Sequence, residues 1–590
     1  MRKRINLAAL LLACSMTAAN VSGCGDQSIN TQTAVTEQDS ETKVPVSQTD
    51  ASVIQAAAKD VRSAETENVS VTAELGEGGK LTVNYETEEL DPSYDETGAV
   101  RISLGNEITV SGGENGAAEV NGSIVTLKAG GIYILSGELK DGQIVVDGEK
   151  GEQIRIVLDG MTLGSSTAAP IVSMDKCSVL VTLAEGSSNT IADSRPEGAV
   201  SESDENAADA AVYVKGDLCI NGSGSLSVSS DHYSGIVSKN TLKLISGTYQ
   251  VNAGDDALKG KDALLIREGQ YELNAADDAL KATNSNDENA GDIWIEGGTF
   301  RIVSGDKGIS AENRLVISGG EISMEAEGEA FEGKTVDILG GKINAAAGDD
   351  GINAAGEAAT EMEKQMDQDG VYLRIAGGEV VLTAKGDGVD SNGDFYMDGG
   401  VLYLSGPEDN GNGILDYNGT AKLTGGSMIA TGSAGMMQDF GEDAAQNYLM
   451  VYFDDAKEAG TLIEIADDEG NTLLSYEPSG RYSAAVITSP DLVTGSVYTV
   501  RAGEETKELE ITGLRTVSGE AAGFGFGGMG PGGGMRPDGG MRPEGGMHPD
   551  GGMRPEGGMQ PDGMQPPEGG MGPSGAPAFG SETADSGSAQ

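Results

Sequence analysis

Short alternating hydrophobic segments recur along the middle of the chain. Each begins at a glycine and continues as a strand-like alternation of apolar and polar residues, as in "GTYQVNAGDDALKGKDALLIRE" from Gly247 and "GTFRIVSGDKGISAENRLVISG" from Gly298. Uninterrupted copies are about 22 residues long, which is a solenoid period. The copies continue from Gly320, Gly341 and Gly378, so the repeat dominates this part of the chain.

Three short strands are predicted in each repeat. The first strand carries the pairs Tyr249 with Val251, Tyr271 with Leu273, and Phe300 with Ile302. The second is centred on Leu258, Leu280, Ile309, Phe331, Ile352, Val389 and Ile414. The third carries Leu264 with Ile266, Ile293 with Ile295, Leu315 with Ile317, and Val336 with Ile338. Three strands separated by Gly, Asn and Asp turns predict an all-β parallel β-helix, in which equivalent residues stack about 4.8 Å apart.

The stacking makes two further predictions. Tyr249, Tyr271 and Phe300 should form an aromatic ladder inside the coil. Two repeats carry extra residues at one corner, between the second and third strands: "TNSNDENAGD" in one and "AGEAATEMEKQMDQDG" in the other. Insertions in solenoids gather on one face, which is often the binding face.

The flanking regions divide the chain further. Less regular strands from about Val100 onward are expected to be the first coils, so the β-helix spans 96–445. Residues 446–515 change to hairpin-like strands and are either a small β module or a cap over the solenoid edge. The polar segment 25–95 is predicted to be a disordered linker, and the Gly, Met and Pro repeat of 516–590 a disordered tail.

The N-terminus reads as an export signal. The basic "MRKR" precedes an apolar run and then "VSGC", which ends at Cys24. This pattern resembles a bacterial lipobox, so residues 1–24 are predicted to be a lipoprotein signal peptide with Cys24 lipidated; an ordinary secretory signal is the alternative. We therefore expect an extracytoplasmic protein held at the cell surface by lipid alone, because no other segment is apolar enough to span a membrane.

The amino-acid composition limits the classes of molecule that the chain is expected to bind. The 590 residues carry a formal net charge of -56, with 90 glycines and 4% aromatics. Such acidity repels nucleic-acid backbones and anionic headgroups and favours cations. A monomer without nucleic acid is expected. Cys177 and Cys219 could be paired or free, and His232 is the only histidine before the tail, which leaves little room for histidine chemistry.

The doubled aspartates of the repeat are predicted to form a vertical column at one corner of the coil. Equivalent carboxylates in adjacent coils would repel by roughly 3 kcal/mol at 5 Å and an effective dielectric near 20. A calcium ion between coils would offset that cost through all-oxygen coordination. The alternative is that the aspartates only form turns, with Lys259 and Lys281 screening their charge. The predicted calcium ligands are Asp255, Asp256, Asp277, Asp278, Asp306, Asp349, Asp350, Asp387, and, in the local cluster "DSNGD", Asp390 and Asp394.

Several motifs together resemble a known family. "GIYILSGELKDGQIVVD", "VLDGMTLGSSTAAPI", "VTLAEGSSNTI" and the repeated "GDDALKG" and "GDDGINA" look like the bacterial, mainly clostridial, carbohydrate-binding domain family. The resemblance covers about residues 100–440. It implies a calcium-binding, right-handed parallel β-helix similar to pectate lyases, and binding of cellulose or acidic polysaccharide. The copies "GDKGIS" and "GEAFEG" lack the doubled aspartate, which puts an ion at those levels in doubt.

A binding role and a catalytic role remain open at this stage. A lyase of this fold needs an Arg or Lys base beside the metal, but Arg267, Arg301, Arg314 and Arg374 are spread along the strands. Trp294, the sole tryptophan, should point outward and could stack on a sugar ring. We therefore expect a non-catalytic polysaccharide-binding protein. The alternatives are a calcium-dependent polysaccharide lyase and a structural stalk or adhesin.

Overall fold

The computed structural model describes residues 68–175, 177–201, 207–356, 360, 366–441 and 444–520, and these are almost entirely β-strand. The predicted signal peptide with Cys24, the linker up to residue 67 and the tail from residue 521 lie outside the described residues. Among the helices that are described, none is long and apolar enough to cross a membrane.

The first described segment is a hairpin, although the sequence placed it in a disordered linker. Strand β1 (Val69–Glu74) pairs antiparallel with β2 (Lys80–Tyr85), and one turn of helix, α1 (Thr87–Leu90), follows. Alternate residues of β2 are buried, and they pack on apolar side chains that project outward from the solenoid, including Leu265 and Trp294. The prediction of disorder is therefore wrong for 68–95, because a distant surface supplies the burial that this short segment lacks by itself.

The first coils follow this hairpin with strands of uneven length. Their bounds are β3 (Val100–Leu104), β4 (Thr109–Gly112), β5 (Ala118–Asn121), β6 (Ile124–Leu127), β7 (Gly131–Leu139), β8 (Gln143–Val146), β9 (Gln153–Ser165), β10 (Ile171–Ser173), β11 (Ser178–Leu183), β12 (Ser188–Asp193), β13 (Ala210–Val214), β14 (Leu218–Gly222), β15 (Ser225–Ser230), β16 (Ser234–Ser238) and β17 (Thr241–Leu244).

The later coils repeat a long, a short and a medium strand. They are β18 (Thr248–Ala253), β19 (Leu258–Gly260), β20 (Ala263–Ile266); β21 (Gln270–Ala275), β22 (Leu280–Ala282), β23 (Asp292–Ile295); β24 (Thr299–Ser304), β25 (Ile309–Ala311), β26 (Arg314–Ile317); β27 (Glu321–Ala326), β28 (Phe331–Gly333), β29 (Thr335–Ile338); β30 (Lys342–Ala347), β31 (Ile352–Ala354), β32 (Tyr372–Ile375); β33 (Glu379–Ala384), β34 (Val389–Ser391), β35 (Asp394–Met397); and β36 (Val401–Ser405), β37 (Leu415–Tyr417), β38 (Ala421–Leu423), β39 (Ser427–Gly432).

Equivalent strands of successive coils pair in parallel and build three long ladders, as a β-helix-like solenoid has. The long strands pair from β12 through β39, the short strands from β8 through β37, and the medium strands from β11 through β38. The predicted strand pairs are in register, with one exception. Val389 pairs with Leu415 and not with Ile414, because the preceding loop is longer and shifts the strand by one residue.

The interior of the coils is mainly apolar. The rings of Tyr249 and Tyr271 stack with centroids 4.9 Å apart, and those of Tyr271 and Phe300 with centroids 4.6 Å apart. All three side chains are buried, so the predicted aromatic ladder is confirmed. Both cysteines are free and buried, Cys177 in this interior and Cys219 on the outer face beneath the hairpin.

Antiparallel strands cover the open edges at both ends of the stack. At the start, β4 pairs with β3 and β5 with β6. At the end, β43 pairs antiparallel with β39 of the last coil. The closing strands are β40 (Tyr448–Lys457), β41 (Ile463–Ala466), β42 (Thr472–Tyr476), β43 (Tyr482–Thr488), β44 (Val497–Ala502), β45 (Glu505–Glu510) and β46 (Arg515–Ser518). Their own core includes Ile429 of the last coil, so this region closes an edge that would otherwise expose unpaired backbone groups.

Candidate functional site

The loop between the long and the short strand stacks the doubled aspartates from coil to coil. The Asp277 amide donates a hydrogen bond to the Asp255 carbonyl at 3.4 Å, and the Asp306 amide donates to the Asp277 carbonyl at 3.2 Å. Glycine is required at 254, since a Cβ there would lie 2.5 Å from the Asp231 carbonyl oxygen of the preceding coil. The predicted alignment of these aspartates in one column is therefore observed.

The second aspartate of each pair turns its carboxylate toward the next coil. Asp256 and Asp278 are 1% and 2% exposed. The Asp278 amide donates to Asp256 Oδ1 at 3.3 Å, and the Lys307 amide donates to Asp278 Oδ1 at 2.9 Å. Farther along, the Asp387 amide donates to Asp350 Oδ1 at 2.6 Å. These carboxylates continue the ladder of backbone hydrogen bonds through the loop. The aspartates therefore do more than form turns, because they also accept hydrogen bonds from amides of the next coil.

Lysines neutralise the beginning of the column, which we call the lower level (Asp255, Asp256, Asp277 and Asp278). Lys259 Nζ lies 2.5 Å from Asp256 Oδ2. Lys281 Nζ contacts three carboxylates, at 3.1 Å from Asp256, 2.8 Å from Asp278 and 3.4 Å from Asp277. Burial acts to lower the pKa of Lys281, but these carboxylates outweigh it and raise that pKa. Both lysines project from the short strands β19 and β22, at paired positions.

The middle of the column is neutralised in the same way. Lys307 Nζ pairs with the Glu332 carboxylate and lies 4.0 Å from Glu329. Asp306 lies close to Asp277 and Asp278, with carboxylate oxygens of the three within 4.8 Å of one another. A cation of the chain therefore accompanies the acidic groups at this level too.

At the far end of the column, the described residues place no such cation beside the acids. Asp350, Asp387 and Asp390, the upper level, have carboxylate oxygens within 4.8 Å of one another. No lysine or arginine of the described chain forms an ion pair with them. Burial, and after it the charge of neighbouring carboxylates, raises the pKa of Asp390 to about 8. The same two causes raise the pKa of Asp350 to about 7 and that of Asp387 to about 6, although a backbone hydrogen bond to each carboxylate acts in the opposite direction. The upper level is an uncompensated cluster of half-buried acids.

A neutral oxygen without a partner lies beside this cluster. Asn353 pairs with Asp390 in the short-strand ladder, and its Oδ1 is buried and accepts no hydrogen bond. Asp416 occupies the next position and raises the pKa of Asp390 further. Carboxylate and amide oxygens at one locus are the donor set that calcium prefers, so the residues fit this ion.

Asn353 and Asp416 were not among the predicted ligands. Asn353 directly follows Ile352, an apolar centre of the second strand, so its position could have been found from the pattern. Asp416 could not, because Leu415 and not the predicted Ile414 pairs with Val389.

Comparison with known proteins identifies the family of this region. A family model described as "Carbohydrate-binding domain-containing protein" matches residues 121–359 and 313–453. The chain belongs to this family. A carbohydrate-binding domain-containing protein of Acetivibrio thermocellus is 35% identical over 199 residues, which are 34% of this chain and 69% of that relative.

One solved structure is also similar in sequence. It is described as the polysaccharide lyase-like protein from C. thermocellum, in a gadolinium derivative. It is 25% identical to this chain and covers 44% of this chain and 95% of its own. The TM-score of 0.36 is too low to define the fold of this carbohydrate-binding domain family member.

Two predicted metal ligands are not part of the upper-level cluster. Asp394 begins β35, beyond the corner, and its carboxylate accepts hydrogen bonds from Tyr396 Oη at 2.5 Å and the Thr420 amide at 2.6 Å. It therefore does not join Asp390, because the short strand ends between them. Asp349 stays in the column through its carbonyl, which accepts from the Gly386 amide at 2.9 Å, and its charge raises the pKa of Asp350.

Trp294 does not present a surface for sugar stacking. Its side chain points outward as predicted, but it is only 2% exposed because the N-terminal hairpin covers it. Its Nε1 donates a hydrogen bond to Ser318 Oγ at 2.9 Å. The expected carbohydrate-stacking role is therefore wrong for this arrangement, and Trp294 instead anchors the hairpin to the solenoid.

Three of the four arginines considered as lyase bases are engaged elsewhere. Arg314 forms two hydrogen bonds with Asp292, at 2.8 and 2.5 Å. Arg374 contacts Asp398 at 2.7 Å and Asp337 at 3.3 Å. Arg267 lies over the Tyr85 ring, 5.1 Å from its centroid. These contacts hold the three guanidinium groups on the medium-strand sheet, where they support the hairpin and its neighbours.

Proposed function

We propose that this chain is an extracytoplasmic lipoprotein, anchored through Cys24, that binds polysaccharide without cleaving it. The binding region is a right-handed parallel β-helix over 96–445, capped by 446–515. Family membership supports a carbohydrate ligand, since the matched family and the A. thermocellus relative are both described as carbohydrate-binding. Cellulose and acidic plant or cell-wall glycans are the candidate polymers.

Calcium stabilises this β-helix in the proposal, and the upper level is the site that it occupies. The observation that carries this assignment is the set of three unpaired carboxylates with the unsatisfied Asn353 Oδ1 beside them. Asp350, Asp387, Asp390 and Asn353 would hold the ion, which supplies positive charge that the chain itself does not place there. The lower level needs no ion of this kind, because Lys259 and Lys281 already supply that charge.

The arrangement of the basic residues supports binding over lysis. Calcium-assisted lysis requires a base that faces the same groove as the ion. Arg267, Arg314 and Arg374 lie on the medium-strand sheet and are committed to ring or carboxylate contacts. Lys259, Lys281 and Lys307, which contact acidic residues of the column, are held in ion pairs.

Retention on polysaccharides with and without calcium tests this proposal. The purified mature chain is incubated with insoluble cellulose and with cross-linked polygalacturonate, in calcium or in a chelator, and the bound fraction and the ultraviolet absorbance of released products are measured. We expect retention without release of unsaturated products. Absorbing products would establish a lyase, and the absence of retention on any glycan would favour a stalk or adhesin.

A further inference from the structure

Described residues of the two corner insertions line one cleft. One wall is the segment 283–291 and the other comprises residues 356 and 366–371; we call the space between them the corner cleft. Its volume is about 530 Å³, which lies within the range of sites that take small organic ligands. It lies at the opposite end of the short strands from the acidic column, since the column precedes these strands and the insertions follow them.

The spacing of the coils sets the width of the cleft. The insertions follow β22 and β31, and the two coils between them turn the same corner without extra residues. Three coil steps of about 4.8 Å therefore separate the walls by about 14 Å. Glu312, Asn313 and Lys334 of the two short corners lie between the walls and form the floor. The two walls therefore bound the cleft along the solenoid axis, and the two short corners lie between them.

Local hydrogen bonds build both walls. In the first wall, the Asn286 amide donates to Asn284 Oδ1 at 3.0 Å, and Asn284 Nδ2 donates to Asp262 Oδ1 of the preceding coil at 2.6 Å. In the second wall, the Gly356 amide donates to Gln368 Oε1 at 2.8 Å, and the Gln368 amide donates to the Asn392 carbonyl at 2.7 Å. Both walls are therefore fixed to the coils, which reduces the ordering cost of binding.

The lining combines hydrogen-bonding groups with one exposed apolar side chain. Asn286 and Ser285 are exposed in the first wall, and Lys334 on the floor forms no ion pair within the described chain. Met366, in the second wall, is 57% exposed. Hydroxyl groups of a sugar can pair with amide, hydroxyl and ammonium groups, while the C–H face of its ring can pack on a thioether.

The charge of the lining restricts the kind of sugar. Among the described residues that line the cleft, five are acidic and one is a lysine, Lys334; the acidic residues are Asp287, Glu288, Glu312, Asp367 and Asp369. A uronate would bring further negative charge into this surface and be repelled, whereas a neutral sugar carries no such penalty. We infer that the corner cleft is a binding subsite for a short run of a neutral, hydroxyl-rich polysaccharide. This inference rests on the proposed polysaccharide-binding function and selects the neutral polymer and its location.

Affinity for a soluble neutral oligosaccharide tests the assignment. The dissociation constants of the full mature chain for cellohexaose and for hexagalacturonate are measured by calorimetric titration. The variant combines Asn286→Ala with Lys334→Ala, and its control combines Asn106→Ala with Lys140→Ala, which alters an exposed asparagine and an exposed lysine far along the sequence from both walls. Loss of two hydrogen-bonding groups should weaken cellohexaose binding at least about tenfold, with the control unchanged.

The outcomes separate this inference from the proposed function. If the wild type binds cellohexaose and the Asn286/Lys334 variant binds it equally well, the corner cleft is not the binding subsite, while the proposed polysaccharide binding stands. Binding of hexagalacturonate alone would overturn the neutral ligand. Retention of no polysaccharide by the wild type would defeat both. Because the substituted side chains are not in the core, an unchanged melting temperature should accompany the loss of affinity and identify it as a loss of contacts.

Discussion

The lower and the upper level of the acidic column carry the same loop motif with opposite charge balance. In the lower level, Lys281 alone lies within 3.4 Å of three carboxylates. In the upper level, the equivalent short-strand positions carry Asn353 and Asp390, and no lysine or arginine among the described residues forms an ion pair with these acids. The doubled aspartate therefore does not fix the charge balance by itself. The outward residue of the adjacent short strand contributes to it.

Under the proposed calcium site, the two levels would differ in how their stacked carboxylates are stabilised. An internal lysine is part of the fold and acts under all conditions, at the cost of burying its own charge. A bound calcium ion is exchangeable and makes stability depend on its concentration. A solenoid is stabilised mainly by contacts between neighbouring coils, so each level can be changed and measured separately.

Removal of the lower-level lysine should produce the largest effect. In Lys281→Met the stem remains, but Asp256, Asp277 and Asp278 lose a shared cation, so the free energy of unfolding in chelator should fall by about 3 kcal/mol. Calcium should recover much of this loss, because the lower level then resembles the upper one. Thermal melts in chelator and in calcium measure both effects, with Lys150→Met as the control, since this exposed lysine is far from the column in sequence and forms no ion pair in the described chain. Unchanged stability in chelator would remove the distinction between the levels.

The raised pKa values of the upper level predict a pH dependence in the absence of calcium. The folded pKa values of Asp350, Asp387 and Asp390 are about 7, about 6 and about 8, above the unfolded value of about 3.9. The folded state then binds more protons, so stability falls as the pH rises from about 4 to 8.

Asp390→Asn gives the matched comparison for this pH effect. In chelator it should equal the wild type near pH 4 and exceed it at pH 8, because the amide does not ionise. Denaturant unfolding at each pH measures the difference. If the wild type and the variant lose the same stability between these pH values, the upper acids are not the source.

Loss of the unpaired amide oxygen should have the smallest effect. Asn353→Ala removes one neutral ligand, so calcium affinity should weaken about tenfold while stability in chelator stays unchanged. Calorimetric titration with calcium measures the affinity. Asn344→Ala, which alters an exposed residue of β30, should leave it unchanged. Equal affinities in the two variants would exclude Asn353 as a ligand.

The repeat allowed much of the strand framework to be predicted from local pattern. Tyr249, Tyr271 and Phe300 stack as expected because identical spacing in successive coils fixes their register. The burial of Trp294 could not be predicted in the same way, because it depends on the hairpin Val69–Tyr85, which lies more than 200 residues earlier in the chain. Asp394 was misplaced for a different reason. Nearness in sequence to Asp390 does not show that a corner separates the two side chains.

Calcium-dependent melting of two single variants tests the central claim most directly. Asp390→Asn alters the upper level and Asp255→Asn the lower one, where an amide oxygen can still accept the hydrogen bond from Ser234. At calcium one hundredfold above its dissociation constant, the wild type and Asp255→Asn should gain about 2.7 kcal/mol relative to chelator, and Asp390→Asn should gain little. A full gain in Asp390→Asn, or its loss in Asp255→Asn, would contradict calcium binding at the upper level.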